Sequence, residues 1–358
     1  MLQFNKEVLL MNKKAVLLPV IFILSVAFML SCGMKRDSLG SRDKIIIIAD
    51  STQWVELEEH MLAALERIIY TPQPEPIFNL LRRGPEDLNK LSRFPNLLII
   101  GSLDIEGQMN ELLHRMLSEE AMARVQADSA FLFNKPDPWA RDQLLVLAVS
   151  RDIETLKQNV RDNSDRLFNL FDENLTKYVF KTLFTQFEQK EISKALMDKH
   201  GWNVRVQHDY FVAADSSEIR YVWLRRFNPQ RWLSVTWEPV EDPSLLSREW
   251  MLEKRREVIE KFYDGDYVYE DETINVQEKI VDFKGRYAIR LDGVWQNEIH
   301  VMGGPFRSYG FYNEGDGRLY LIDLAVYAPG ERKYQYLRQL DGIASTFRTK
   351  NEQTRSTE

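Results

Sequence analysis

Cys32 is the residue best suited to covalent chemistry, because a thiolate is a strong nucleophile and the chain of 358 residues contains a single cysteine. Two lysines, Lys13 and Lys14, precede an uncharged apolar run over Ala15–Leu30, and Cys32 stands two positions beyond it. A basic start, a short apolar core and small residues at its exit are typical of a secretory signal peptide. One cysteine excludes a disulfide within the chain and a zinc–thiolate cluster.

The segment Met29-Leu30-Ser31-Cys32-Gly33 resembles the lipobox of bacterial lipoproteins, although Met29 replaces the usual leucine. In those proteins lipid such as palmitate is attached to the cysteine and the chain is cut just before it. The resemblance implies a signal peptide over 1–31, a lipidated tether over 32–43 and membrane attachment through acyl chains at Cys32. We expect translation to start at Met11 rather than at Met1. Because no acidic run follows Cys32, we expect an outer-membrane protein that faces the periplasm. The alternatives are a plain signal peptide and an uncleaved helix.

The composition describes a well-packed, acidic globular protein. Its net charge is −7, and 44% of its residues are hydrophobic and 11% aromatic. An acidic balance disfavours nucleic acid as a partner and disfavours adhesion to anionic lipid. The length after the predicted cleavage suggests two domains or one large one.

The usual catalytic and metal-binding signatures do not occur in the sequence. Its five histidines form no His-Glu-x-x-His pair, and the chain has no Gly-x-Ser-x-Gly elbow and no Gly-rich phosphate loop. We therefore predict no catalytic residue, no metal ligand and no cofactor, while a Ser–His–Asp triad with distant members stays open. Acidic residues near a glycine turn suggest either a solvated loop or a weak Ca²⁺ site. They are Asp264, Asp266, Glu270, Asp271 and Glu272.

Tryptophans and a glycine pair mark the second half of the chain. Six of the eight tryptophans fall between Trp202 and Trp295. If buried, they fill a core; if exposed, they form a platform for sugar rings or peptide. The run Gly303-Gly304-Pro305-Phe306 suggests a tight connection or bulge between strands, where glycine permits positive φ or close backbone approach. If this run forms a loop that contacts a ligand, it is our first candidate for the binding site. The candidate residues are Trp295, Gly303, Gly304, Phe306 and Arg307.

Residues 44–200 alternate between strand and helix patterns and predict an α/β-type domain with a mixed sheet. Its clearest elements are the buried strands Lys44–Asp50 and Leu97–Gly101, the helix from Ser51 to Tyr70 and the helix Glu106–Leu117. Residues 201–348 contain many short strands, a helix over Ser244–Tyr263 and a final helix over Glu331–Phe347. They predict an antiparallel sheet packed with helices, so the whole is an α+β protein. Residues 349–358 are predicted to be disordered.

Several short motifs are similar to those of one family. They are Pro72-Gln73-Pro74-Glu75-Pro76, Trp223, Gly293-Val294-Trp295, Gly303-Gly304-Pro305-Phe306, Ala328-Pro329-Gly330 and Lys333. Together they resemble an uncharacterised lipoprotein family of the Bacteroidota, defined as a domain of unknown function, over residues 44–348. The resemblance implies export and lipidation at Cys32 but no activity, cofactor or catalytic residue. Asp264-Gly265-Asp266 departs from the Gly/Ser-rich stretch of that family, which puts a role for this loop in doubt.

These observations favour a lipid-anchored envelope protein with a non-enzymatic binding or accessory role. Its partners are the membrane, through Cys32, and an envelope protein or glycan, but not nucleic acid. The alternative is an envelope hydrolase or glycan-processing enzyme whose carboxylates converge only in three dimensions. Paired acids in a deep cleft near Trp295 and 303–306 would favour the enzyme, and a shallow apolar patch would favour binding.

Overall fold

A computed structural model describes residues 35–71, 73–263 and 265–355, with the side chains of 353–355 left out. The predicted signal peptide and Cys32 lie outside the described residues. The described strands are β1 Lys44–Ile48, β2 Ile68–Tyr70, β3 Pro74–Pro76, β4 Asn79–Arg83, β5 Asn96–Ser102, β6 Leu132–Pro136, β7 Leu144–Ser150, β8 Trp202–Asn203, β9 Phe211–Ser216, β10 Tyr221–Arg226, β11 Gln230–Pro239, β12 Asp266–Tyr269, β13 Gln277–Asp282, β14 Tyr287–Asn297, β15 Met302–Asn313, β16 Arg318–Tyr327 and β17 Arg348–Thr349. The described helices are α1 Ser51–Leu65, α2 Leu88–Leu91, α3 Gln108–Met116, α4 Glu119–Gln126, α5 Ile153–Asp162, α6 Ser164–Leu183, α7 Lys190–His200, α8 Arg248–Phe262, α9 Tyr334–Ala344 and α10 Lys350–Arg355.

The chain divides into two compact units. Unit 1 contains the described residues up to Gln53 and Leu81–Leu156, and unit 2 contains Trp54–Leu80 and the residues from Lys157 onward. None of the helices in the described part of the chain is both long enough and apolar enough to span a membrane.

Unit 1 is built on a mixed sheet with the strand order β4-β1-β5-β7-β6. Strands β1, β5 and β7 run parallel, and β6 pairs with β7 in the antiparallel direction. Strands β5 and β7 are buried along their whole length, which is the pattern of central parallel strands covered on both faces. The continuous apolar runs of the sequence therefore form the core of unit 1.

Unit 2 is built on an antiparallel sheet with the order β12-β14-β15-β16-β11-β10-β9, and β13 also pairs with β14. Its main core joins strand residues such as Leu324 and Trp237 to Leu183 of α6, Leu196 of α7 and Leu340 of α9. The predicted α+β class is therefore confirmed, with a mixed sheet in the first half and a helix-packed antiparallel sheet in the second.

Three local features differ from prediction. Helix α1 ends at Leu65, and Ile68–Tyr70 forms a hairpin with Pro74–Pro76, because β-branched and aromatic residues favour an extended strand. The structure groups residues 157–200 with unit 2, since Leu183 and Leu196 are buried in its core, whereas the sequence placed them in the first domain. Within the predicted tail, Thr349 pairs with Trp202 and Lys350–Arg355 is helical.

Candidate ligand-binding cleft in unit 2

A cleft of about 1060 Å³ lies within unit 2. Its floor is formed by β13, β14 and β15, and its walls come from α6, α9 and the segment around β2. Pockets for small molecules usually have volumes of roughly 300–1000 Å³, so the cleft has room for a substantial ligand.

Strand pairing places charged side chains in adjacent rows on the cleft floor. Side chains at alternate positions share one face of a strand, so Arg290 and Asp292 of β14 both face the cleft. In the register of the sheet, Lys279 lies opposite Arg290, and Arg290 lies opposite Tyr309. In the next row Asp292 lies opposite Arg307.

Arg307 links two carboxylates that line the cleft. Its guanidinium donates to Asp292 and to Asp341 of α9, and its side chain is only 9% exposed. The Tyr309 hydroxyl donates to Asp341 at 3.0 Å, and Arg290 Nε lies 2.9 Å from the other oxygen of Asp292. Burial raises the pKa of Asp341 above its ordinary value, although the nearby Arg307 acts in the opposite direction.

A second arginine, Arg338 of α9, joins the two helices that form one wall. It donates to the carboxylate of Asp172 on α6, to the Thr176 hydroxyl at 2.5 Å and to the Tyr334 hydroxyl at 2.5 Å. Gly342, one turn further along α9, lies against α6, because a Cβ there would come within 2.7 Å of Leu183. The wall is therefore closely packed and held by directed hydrogen bonds.

Much of the remaining cleft surface is apolar, although uncharged polar side chains such as Asn169 and Gln277 also line it. Aliphatic and aromatic side chains contribute to it from every surrounding element, including Ile69, Phe168, Val281 and Leu337. Three further wall residues are unusually exposed for their type: Ile68 (50%), Tyr70 (49%) and Phe180 (41%). Large apolar side chains exposed together are typical of an interaction site.

The five predicted ligand-binding residues fall in different environments. Phe306 and Arg307 line the cleft. Trp295 is fully buried in a second core of unit 2, with its ring centroid 5.3 Å from that of Trp232. Gly303 and Gly304 lie inside strand β15 and pair with Gln296 and Trp295. The cleft therefore contains two of the five predicted residues.

The prediction that 303–306 is a connection or bulge between strands is wrong. The run lies within β15, and neither glycine has a positive φ. Close backbone approach is the reason for Gly304, because a Cβ at this position would lie 1.9 Å from the carbonyl oxygen of Val326. Any side chain larger than hydrogen would push β15 away from β16.

Most of the clustered tryptophans fill the core. Trp202, Trp232, Trp237 and Trp295 are buried, with exposures of 6% or less. Trp223 and Trp250 are partly buried and pack against the second core. The cluster therefore matches the core-filling alternative, not an exposed stacking platform.

None of the described histidines or acidic-loop residues lines the cleft, although Thr273 and Ile274, which directly follow the loop, do. His200 is buried between Trp202 and Trp237, and its Nε2 lies 2.8 Å from Asp215. Among the described acidic-loop residues, Asp271 accepts hydrogen bonds from the backbone of Thr273 and Ile274. Asp264 lies outside the described residues, and within them no three histidine, cysteine or carboxylate side chains are grouped to hold a metal ion.

Apart from Arg307, the charged residues on the cleft floor and on α9 were not predicted from the sequence. The available signal was charge at alternating positions of an otherwise apolar strand, as for Arg290 and Asp292 in β14. A second signal was charge at helical spacing beside buried leucines, as for Arg338 and Asp341 in α9. Both patterns place a charged group on a face that should be buried, which is where a functional site is expected.

The fold and this site define an α+β protein with a large, mixed apolar and charged cleft in its second unit. Residues 38–183 match the family model described as Domain of unknown function (DUF8532), and residues 189–346 match Domain of unknown function (DUF4837). The prediction of an uncharacterised family is therefore confirmed. The lipobox and the Bacteroidota origin stay predictions.

A comparison with curated proteins finds no match. Among solved structures, the chain is similar to the Saccharomyces cerevisiae Ran-binding protein Mog1p, with 11% identity and a TM-score of 0.28, covering 42% of this chain and 90% of that one. It is also similar to LpqN, involved in cell envelope biogenesis of Mycobacterium tuberculosis, with 12% identity and a TM-score of 0.27, covering 41% and 81%. A Bacteroides thetaiotaomicron structure has 9% identity and a TM-score of 0.25, covering 42% of this chain and 45% of that one. Such low scores give no basis for assigning a function.

Proposed function

We propose that the chain is a lipid-anchored envelope protein whose second unit binds a small-molecule ligand in its cleft without transforming it. The observation that carries the proposal is the cleft itself, with about 1060 Å³ of space and exposed Ile68, Tyr70 and Phe180 on its walls. Burying such side chains against a ligand removes apolar surface from water and favours binding.

The chemistry of the cleft supports binding over hydrolysis. Each of its four carboxylates is already engaged: Asp172 by Arg338, Asp292 and Asp341 by Arg307, and Asp282 by the backbone N–H of Gly285. A hydrolase of the glycan-processing type needs one carboxylic acid and one free carboxylate facing the scissile bond. Asp292 and Asp341 instead both form ion pairs with Arg307, which lies between them.

Two hydroxyl groups in the cleft are also engaged in structural hydrogen bonds. The Ser345 hydroxyl donates to the carbonyl of Gly342 at 2.8 Å, and the Tyr309 hydroxyl donates to Asp341. Among the residues that line the cleft in the described chain, none is a histidine or a cysteine. An activated nucleophile with its own base is thus not assembled at this site.

The anchor part of the proposal rests on the amino-terminal sequence. Lys13 and Lys14, the apolar run and Met29-Leu30-Ser31-Cys32-Gly33 follow the order of a lipoprotein signal. Acyl chains on Cys32 would hold the two units at a membrane surface, with a short polar tether between lipid and fold.

The binding function is tested by filling the cleft. Val281→Trp adds a large side chain on the cleft floor, whereas Ile280→Trp adds the same side chain at a neighbouring position that is 57% exposed and does not line the cleft. The full-length protein and both variants are incubated with a small-molecule extract of the envelope and analysed by native mass spectrometry.

We expect wild type and Ile280→Trp to retain a compound that Val281→Trp does not retain. No retained compound in wild type, or equal retention by Val281→Trp, would contradict the proposal. Chemical conversion of the compound during incubation would favour the hydrolase instead.

A further inference from the structure

We propose that the ligand of the cleft is a single-chain amphiphile: one alkyl chain carrying one anionic carboxylate or phosphate head. The inference rests on the proposed binding function and narrows it to a chemical class. Its evidence is the distribution of charge on the cleft floor and of apolar surface on the walls.

Two like charges face each other on the cleft floor. Lys279 of β13 is the cross-strand partner of Arg290 of β14, and both line the cleft. Like charges directly opposite each other in an antiparallel pair are destabilising, because their side chains are about 5 Å apart at Cβ. An anion placed between the two side chains would turn this repulsion into two favourable contacts.

The carboxylates nearby do not relieve this repulsion fully. Asp292 is shared between Arg290 and Arg307, and Asp341 is held by Arg307 and Tyr309. The side chain of Lys279 makes no ion pair or hydrogen bond with the residues that the structure describes. Its ammonium group is therefore available to a ligand.

The cleft as a whole has an excess of positive charge, in contrast to the whole chain. Its lining contains six lysine and arginine side chains and four aspartates, whereas the net charge of the chain is −7. A local positive region on an acidic protein attracts an anionic ligand and repels a cationic one.

The aliphatic part of the walls favours a ligand with an apolar segment. Ile68, Ile69, Ile77 and Leu337 are aliphatic wall residues whose side chains offer no hydrogen bonds to a sugar or a nucleotide base, and the polar wall residues Asn169 and Thr176 lie on α6. An alkyl chain covers such walls through burial alone, at about 25 cal/mol per Å² of apolar area. The unpaired charge of Lys279 on the floor and the aliphatic surface on the walls thus match a molecule with one charged end.

The ligand class is tested with hexadecanoate and its neutral analogue hexadecanol, both below the concentration at which they aggregate. Binding to the full-length protein is measured by titration calorimetry. Lys279→Gln removes the unpaired charge from the floor, and Lys261→Gln removes the same charge from an exposed position of α8 that does not line the cleft. Unchanged melting temperatures of both variants establish that the fold is retained.

We expect wild type to bind hexadecanoate at least tenfold more tightly than hexadecanol, because the head group gains charge-assisted hydrogen bonds. Lys279→Gln should weaken hexadecanoate binding by about tenfold and leave hexadecanol binding unchanged, while Lys261→Gln should change neither. Hexadecyl phosphate is titrated in the same way as hexadecanoate. Tighter binding of hexadecyl phosphate indicates a phospholipid-derived head group, and tighter binding of hexadecanoate indicates a fatty acid. Either result supports a single-chain anionic amphiphile as the ligand.

Equal affinity for hexadecanoate and hexadecanol, or equal weakening by Lys279→Gln and Lys261→Gln, would overturn the inference. So would tight binding of an acidic peptide along β13 with no binding of hexadecanoate. If the extract still yields a compound that Val281→Trp excludes, the ligand class alone is wrong. If neither the extract nor the probes bind, the binding function fails as well.

Discussion

The carboxylate of Glu75 accepts hydrogen bonds from the backbone N–H groups of Lys333 and Tyr334, at the first turn of α9. The distances are 2.8 and 3.2 Å, and Glu75 is only 8% exposed. The first N–H groups of a helix have no partner inside the helix, and a carboxylate placed there satisfies them and interacts favourably with the helix dipole. Two separate sequence motifs, around 72–76 and around 328–333, are therefore parts of one structural contact within unit 2.

Glu75→Gln is expected to lower the free energy of unfolding by about 1–2 kcal/mol, because a neutral amide has one acceptor oxygen where the carboxylate has two. Urea denaturation measures the change. Glu59→Gln on the exposed face of α1 is the matched control and should change stability by less than about 0.5 kcal/mol. Equal stability of the two variants would show that the cap contributes nothing.

Gly304→Ala is expected to lower the free energy of unfolding by about 3 kcal/mol or more, since the new methyl group would overlap the Val326 carbonyl at 1.9 Å. Gly315→Ala is the control, because its Cβ would meet its nearest neighbour at an ordinary 3.5 Å. Thermal unfolding of both variants measures the effect. A Gly304→Ala protein that melts with wild type would refute the close approach of β15 and β16.

Arg307→Met is expected to destabilise unit 2 by about 3 kcal/mol, because Asp341 would lose its ion pair and keep only the Tyr309 hydroxyl, and Asp292 would keep only Arg290. Arg256→Met breaks an exposed ion pair with Glu253 and should cost less than about 1 kcal/mol. Chemical denaturation compares the two. Similar small losses for both would mean that water, not Arg307, compensates the two aspartates.

Stability is expected to fall as the pH drops below about 6.5 because of His200. Burial lowers the pKa of His200 below its ordinary value of 6.5, although Asp215 acts in the opposite direction. The unfolded chain therefore binds a proton in a pH range where the folded protein does not, and stability decreases through that range as the pH falls. Urea midpoints at pH 7.5 and 5.5 measure the slope.

His200→Gln should flatten this slope, while His114→Gln, at an exposed position of α3, should leave it as in wild type. A slope that persists unchanged in His200→Gln would assign the pH dependence to other groups.

Cys32→Ser is expected to abolish labelling of the protein with radioactive palmitate and to prevent cleavage before residue 32, because serine lacks the thiol that accepts lipid. Labelling and mass spectrometry of cells expressing wild type and variant check both effects. Ser31→Ala, which keeps the thiol, is the control and should remain lipidated. Palmitate label retained by Cys32→Ser would remove the anchor hypothesis.

Elements that depend on local patterns were predictable from the sequence. The apolar runs at Lys44–Asp50 and Leu97–Gly101 correspond to the buried strands β1 and β5, because parallel strands covered on both faces require continuous apolar residues. The final helix predicted over Glu331–Phe347 is found over Tyr334–Ala344.

The cleft was not predictable in the same way, because its residues come from distant parts of the chain. Arg307 and Asp341 are 34 positions apart, and Arg338 and Asp172 are 166 apart. The Gly-Gly-Pro-Phe run was misjudged for a related reason: the carbonyl of Val326 that excludes a Cβ at Gly304 belongs to the next strand. A local sequence pattern contains no information about which residue of an adjacent strand lies close in space.

The hydrogen bond between Glu75 and Lys333 spans 258 positions of the chain. During synthesis or export from the amino end, the hairpin that carries Glu75 appears long before the helix that it caps. A polypeptide halted anywhere before Lys333 would have to keep this carboxylate hydrated, and unit 2 would lack the wall of its cleft. The cleft is thereby completed only when nearly all of the chain has emerged, so its assembly depends on contacts between distant parts of the sequence.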